Sequence, residues 1–223
     1  MIMEKPIILV VATRNAGKTR EIRSVLKDFP VELKDLNDFG PIPEPVEDGS
    51  TFEENAYKKA SFTAKVLGLP ALADDSGLEV EALGGAPGVH SARYAGPNAT
   101  DEENNQKLLR EMTGVKNRKA RFCCVISIAV PTGFALTYEG YCEGEILEEP
   151  RGTGGFGYDP LFFYPPLGKT FAEMTLEEKS SVSHRGRALR ELQKEFDKVL
   201  IWIRQRLEEE RRMLGYGHEG HSE

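Results

Sequence analysis

The chain has 223 residues, with 29 Lys and Arg against 36 Asp and Glu for a net charge of −7, a pI near 5.3 and a mean hydropathy of −0.42. At 39% apolar and 29% charged residues, this is a globular composition, long enough to bury roughly 70% of the surface that the unfolded chain exposes. The acidic balance argues against non-specific binding to DNA, RNA or anionic membranes, yet it leaves room for a small anion held by local basic groups.

Cys123, Cys124 and Cys142 are too few for a disulfide scaffold, and the adjacent pair would face opposite sides of a strand. No apolar run approaches the roughly 18 residues of a membrane helix. Residues 7–12 are apolar but lead directly into Thr13-Arg14-Asn15, with no small-residue cleavage site. The expectation is a cytoplasmic protein that engages neither membrane nor nucleic acid.

Residues 7–13 open the chain as a strand of continuous Ile and Val, the pattern of a strand covered on both faces. Residues 18–29 read as a helix with Ile22, Val25, Leu26 and Phe29 on one face, and residues 31–36 as a short strand. A loop rich in proline and acidic residues follows over 37–50. Thr51 and Glu54 form a capping box for a helix reaching Leu67. A strand over 71–73 should end at Asp74-Asp75-Ser76-Gly77, before strand and glycine loop over 78–95. Thr100 caps a helix to Met112, and two long strands, 121–130 and 135–147, flank a Pro131-Thr132-Gly133 turn. Ser183 begins a last helix, in which Leu189, Leu192, Phe196, Val199, Ile203 and Leu207 recur at helical spacing. From Glu208 the apolar face is lost, and fraying is expected over 208–223. Interleaved strands and helices with an antiparallel middle predict a mixed-sheet α/β fold. With no repeat or linker, residues 1–207 read as one domain.

Five segments could carry chemistry. Thr13-Arg14-Asn15-Ala16-Gly17-Lys18 is a strand-to-helix turn whose backbone N–H groups and lysine suit an anion. It approaches a P-loop, but Ala12 stands where that pattern requires its first glycine. Asp74 and Asp75 are costly neighbours unless a cation joins them. Mg²⁺ fits, because it takes hard oxygen ligands and bridges to phosphates. Strand alternation sends one carboxylate toward the site and the other away, and the residues alone do not say which. Glu47 and Asp48 precede a helix, where the helix dipole alone can account for acidic side chains. Lys59 borders that helix's apolar face, where it could snorkel or reach into a cleft. Gly152 to Pro160 is dense in glycine and carries Phe156 and Tyr158, rings able to stack on a base. His184 and Arg185 follow Ser183 at a helix start, with donors for a base carbonyl or a phosphate.

In their order along the chain, Thr13-Arg14-Asn15 with Gly17-Lys18, Asp74-Asp75-Ser76-Gly77-Leu78, Gly84-Gly85-Ala86-Pro87-Gly88 with Ser91-Ala92-Arg93-Tyr94, Phe156-Gly157-Tyr158-Asp159 and Ser183-His184-Arg185 resemble the inosine triphosphate pyrophosphatase family. The resemblance spans about residues 7–205. It implies an elongated mixed sheet with flanking helices, two lobes enclosing a nucleotide cleft, and a homodimer. The implied reaction is Mg²⁺-dependent hydrolysis of ITP, dITP or XTP to the monophosphate and pyrophosphate. Carried over, Asp75 is the catalytic base and, with Glu47, a metal contact. Residues 13–18, Lys59 and Lys179 are phosphate contacts. Ser76, Phe156, Gly157, Tyr158, Asp159, His184 and Arg185 form the substrate pocket. Donors from His184, Arg185 or the loop N–H groups would read a 6-oxo group. The rival readings are a P-loop kinase or ATPase, which would release orthophosphate or ADP, and a regulator that binds nucleotide without turnover.

Overall fold

The computed structural model describes residues 5–216. Seven strands form one sheet in the order β2-β1-β3-β4-β5-β6-β7. They are β1 (Ile7–Val11), β2 (Val31–Asp35), β3 (Ala71–Val80), β4 (Lys119–Ala129), β5 (Ala135–Ile146), β6 (Phe162–Tyr164) and β7 (Lys169–Thr170). β1 lies parallel to β2 and β3, and every later pair is antiparallel. The mixed α/β class expected from the sequence is therefore observed.

Five helices flank the sheet: α1 (Ala16–Leu26), α2 (Phe52–Leu67), α3 (Asp101–Glu111), α4 (Leu176–Val182) and α5 (His184–Tyr216). The starts of α1, α2, α3 and α4 each carry a side-chain cap. Asn15 accepts from Gly17 N and Lys18 N, Thr100 and Glu103 form a capping box on α3, and Thr175 and Glu178 form one on α4. On α2, Thr51 accepts from Glu54 N, but the Glu54 carboxylate reaches one residue further back, to Ser50 N at 2.7 Å.

The main core joins β1, β3 and β4 to α1 and α5. Leu9, Leu72, Ile126, Ile128, Leu192 and Phe196 are all buried there. Each such side chain contributes about 1.5–3 kcal/mol relative to leaving it in water. On the other side of the sheet, Phe52 and Ala56 of α2 cover Cys123 and Val125. The helical spacing from Leu189 to Ile203 faces the core as expected.

Three boundaries differ from the sequence expectation. First, β3 does not end at Asp74. It runs on to Val80, because β4 pairs with it in register from Ala71↔Ala129 to Val80↔Ala120. β1 accompanies it only at Val10↔Ala71 and Val11↔Leu72. Second, α4 precedes the last helix and carries Lys179. Third, α5 continues through Glu208 to Tyr216, so the expected fraying does not begin at 208. Residues 217–223 of that expected tail lie outside the described residues. Among the described residues, no helix is long and apolar enough to cross a membrane.

Candidate active site

Beyond Val11 the first strand stops, and β3 goes on without it. Open α/β sheets place ligands at such strand ends. A cleft of ≈ 860 Å³ lies there, lined by residues of α1, α2, β3, α4 and α5 and by the 155–159 loop. That volume is within the range of small-molecule sites.

Asp75 lines the cleft, and Asp74 is buried on the opposite face of β3, because successive side chains of a strand alternate. Asp74 meets Lys18 Nζ, 3.2 Å from Oδ1, and Arg185 Nη2, 3.3 Å from Oδ2. Ser76 Oγ donates to the same carboxylate at 3.4 Å. Burial opposes a charge on Asp74, but Lys18, Arg185 and Lys59 together hold its carboxyl well below the usual range. Removing Asp74 would leave two cations without their shared partner, and breaking a buried ion pair costs about 3–5 kcal/mol.

Asp75 has the opposite character. Its Oδ1 lies 3.5 Å from Lys59 Nζ, which is also 3.2 Å from Glu47 Oε1. Its Oδ2 is buried with no hydrogen-bond partner among the described residues. Burial raises its pKa, and Lys59 only partly offsets this. Lys59 itself keeps its proton. Burial would lower its pKa, but Asp74, Asp75 and Glu47 raise it further. The structure thus separates what the residues alone left open. Asp74 is neutralised by fixed cations, and Asp75 holds spare acceptor capacity.

The same group of residues suits Mg²⁺. Two hard carboxylates, Glu47 and Asp75, already converge on one cation, the Lys59 ammonium, and Asp75 offers an unpaired oxygen. Among the described residues there is no cluster of three or more His, Cys, Asp or Glu that could hold a metal. A complete protein cage is therefore not formed. Mg²⁺ characteristically binds through one or two carboxylates and completes its shell with substrate phosphates and water.

The other end of the cleft is aromatic. Phe156 is 56% exposed, with Lys179 Nζ 4.5 Å and the Arg185 guanidinium 6.0 Å from its ring centre. Phe156 N donates to Asp159 Oδ2 at 3.1 Å, and Lys179 Nζ pairs with that oxygen at 2.6 Å. Burial raises the Asp159 pKa, against the pull of Lys179. Tyr158 is buried, and its hydroxyl donates to Ser91 O at 2.6 Å. Phe156 is therefore the ring available for stacking, and Tyr158 is an anchor. His184 stacks on Phe122, with ring centres 4.7 Å apart. Burial, then Arg185 and Lys179, hold its pKa well below 6.5, so its imidazole is neutral.

Lys18, Glu47, Lys59, Asp75, Ser76, residues 156–159, Lys179, His184 and Arg185 all line one cavity, which brings most of the expected site together. Residues 13–17 stand behind it. Thr13 Oγ1 accepts from Asn15 N, Asn15 caps α1 by accepting from Gly17 N and Lys18 N, and Arg14 Nη1 donates to Leu36 O at 2.9 Å. Lys179, expected as a phosphate contact, has its ammonium beside Phe156 and Asp159. A model of the Ham1 family matches residues 9–195. The chain belongs to the Ham1 family. Among relatives, a dITP/XTP pyrophosphatase of Syntrophobacter fumaroxidans is 70% identical over 212 residues, covering 95% of this chain and 91% of that protein. A dITP/XTP pyrophosphatase of Thermus thermophilus is 59% identical over 186 residues, covering 82% of this chain and 89% of that protein. Among solved structures, a HAM1 protein from Coxiella burnetii superposes with a TM-score of 0.82 at 44% identity, covering 86% of this chain and 99% of that one.

Sequence reasoning on this Ham1 chain passed over several residues that build the site. Asn55 is buried, accepts from Gly49 N at 2.8 Å and favours the ionised form of Asp75. Glu21 pairs with Arg185 at 3.5 Å. Asp101 lines the cleft far from the other polar residues in sequence. A polar Asn amid the apolar face of α2 was a visible signal for Asn55. Nothing local marked the other two.

Proposed function

We propose that this chain hydrolyses the non-standard purine nucleoside triphosphates ITP, dITP and XTP to the monophosphate and pyrophosphate. The observation that carries the reading is the pair of adjacent carboxylates with divided roles, of which Asp75 lines the cleft. Asp74 is locked to Lys18 and Arg185, and Asp75 faces Glu47 and Lys59 with an oxygen unpaired. Membership of a family whose relatives are named dITP/XTP pyrophosphatases supports the substrate class.

Asp75, with an oxygen left unpaired, accepts the proton of the attacking water. Glu47 and Asp75 are the residues that would hold Mg²⁺. When bound, that ion neutralises the triphosphate and polarises water. Lys18 and Lys59 meet the phosphate charge as it builds on the leaving pyrophosphate. Phe156 stacks on the base. Donors from Lys179, Arg185 or His184 meet a 6-oxo group. The 6-amino group of adenine would leave such a buried donor unpaired, the situation in which sites reject a wrong partner by about 10⁴-fold or more. A homodimer follows from the family resemblance. A reducing cytoplasmic setting is supported by three buried free cysteines.

The test is a nucleotide panel (ITP, dITP, XTP, GTP, ATP) with and without Mg²⁺, with products separated by chromatography. The expected result is monophosphate and pyrophosphate from the first three, lost on chelation. Release of orthophosphate, or ATP turned over as fast as ITP, would overturn the reading.

A further inference from the structure

The loop that carries Phe156 is held from behind by α3. Gly157 sits at φ +60°, a backbone conformation that residues with a side chain rarely adopt. Both of its own polar backbone groups are taken by that helix. Its N–H donates to Asp101 Oδ2 at 2.8 Å, and its carbonyl accepts from Asn105 Nδ2 at 3.0 Å. Asp101 and Asn105 are four residues apart, so they share one helix face. Asn104, beside them, ties a second segment, accepting from Ala95 N at 2.8 Å and donating to Ala92 O at 3.0 Å.

The remaining loop contacts point the same way. Phe156 N is spent on Asp159 Oδ2, and Asp159 N on Phe156 O at 3.2 Å. The amides of Phe156, Gly157 and Asp159 are thus engaged inside the protein and do not serve as donors to a base. This departs, at these three positions, from the expectation that loop N–H groups read the base. What the loop presents to the cleft is the Phe156 ring above Lys179.

We infer that Asp101, with Asn105, is a positioning residue for nucleobase recognition. The pair holds loop 155–158 in the one backbone conformation that sets Phe156 for stacking, and it leaves the bond-breaking step alone. This rests on the reading above, in which Phe156 receives the base. The role is not a generic effect of negative charge at a helix start. Asp101, Glu102 and Glu103 all lie in the first turn of α3, but it is Asp101 that accepts from the loop. Asp101 is exposed, and Thr100 caps the helix independently, so the helix start survives its replacement.

The experiment compares wild type, Asp101→Ala, Asp101→Asn and Glu102→Ala by dITP kinetics and by hydrogen exchange of the 152–158 segment. Asp101→Ala should raise KM about tenfold, the effect of losing one hydrogen bond to a charged group, with kcat within about threefold. It should also speed exchange at the Gly157 amide. Asp101→Asn keeps an accepting oxygen and should stay within about threefold of wild type in KM, while Glu102→Ala should match wild type in both readouts. In a Phe156→Ala background, Asp101→Ala should add less than about twofold, because the ring being positioned is gone. Equal damage from Asn and Ala, a loss confined to kcat, or unchanged exchange in Asp101→Ala would overturn the inference. A wild-type protein that leaves dITP intact would instead sink the function reading, and the exchange measurement would still decide the clamp.

Discussion

Two aspartates joined by one peptide bond carry opposite electrostatic surroundings, and the difference predicts opposite behaviour. Asp75→Asn removes a charge that burial disfavours and that Lys59 only partly compensates. We expect kcat to fall at least ~100-fold, the low end for an acid–base residue, with a melting temperature no lower than wild type. Near-normal turnover would remove Asp75 from the chemistry. His184 predicts a pH effect on stability. Burial, with Arg185 and Lys179 nearby, keeps its folded pKa well below 6.5, whereas the unfolded chain titrates near the ordinary value of about 6.5. Below that pH the unfolded state binds a proton that the folded state refuses, so stability is lost as pH falls. Urea melts of His184→Gln should therefore show a shallower loss between about pH 7 and pH 5 than wild type. Equal slopes would mean that His184 is charged in the fold.

Among the elements, the start of α5 is tightly placed against the sheet. It crosses β5 at Gly140, where an added Cβ would lie 2.2 Å from His184 O and 2.5 Å from Ala188 N. Both are backbone atoms and cannot swing aside. Gly140→Ala should cost about 1–3 kcal/mol through overpacking and should raise KM, because the displaced turn carries His184 and Arg185. A urea melt with unchanged midpoint would refute it. What could be read in advance follows from which forces are local. Caps and helical stripes are local, so α2, α3 and the packed part of α5 were visible from Thr51, Thr100 and the Leu189–Ile203 spacing. The Thr175–Glu178 box of α4 was equally visible but short, and the apolar stripe of α5 overshadowed it. β3 was cut short because two aspartates and a glycine argue against a strand, yet ten paired residues of β4 outweigh that propensity. The hydrogen bonds from α3 to Gly157 span more than fifty residues, and no local pattern encodes them.

At the scale of the molecule, the described chain is one sheet with helices on it, and the last turns of α5 extend from it. Met213 and Leu214 are 73% and 68% exposed, and residues 211–215 are all exposed. Side chains placed this way contribute within about 0.5 kcal/mol each. A stop after Leu207 should therefore shift the melting temperature by less than about 2 °C and leave dITP turnover unchanged. A larger loss, measured by scanning calorimetry and kinetics, would show that the extension packs against something.

The placement of the two aspartates inside a long paired strand, rather than on a loop, makes the site sensitive to frame. Inserting or deleting one residue between Leu72 and Asp74 would turn every following side chain of β3 to the other face. The carboxylate now neutralised by Lys18 and Arg185 would be carried round to Lys59 and Glu47, and its neighbour would take the reverse path. Length changes in this stretch should therefore be far less tolerated than replacements.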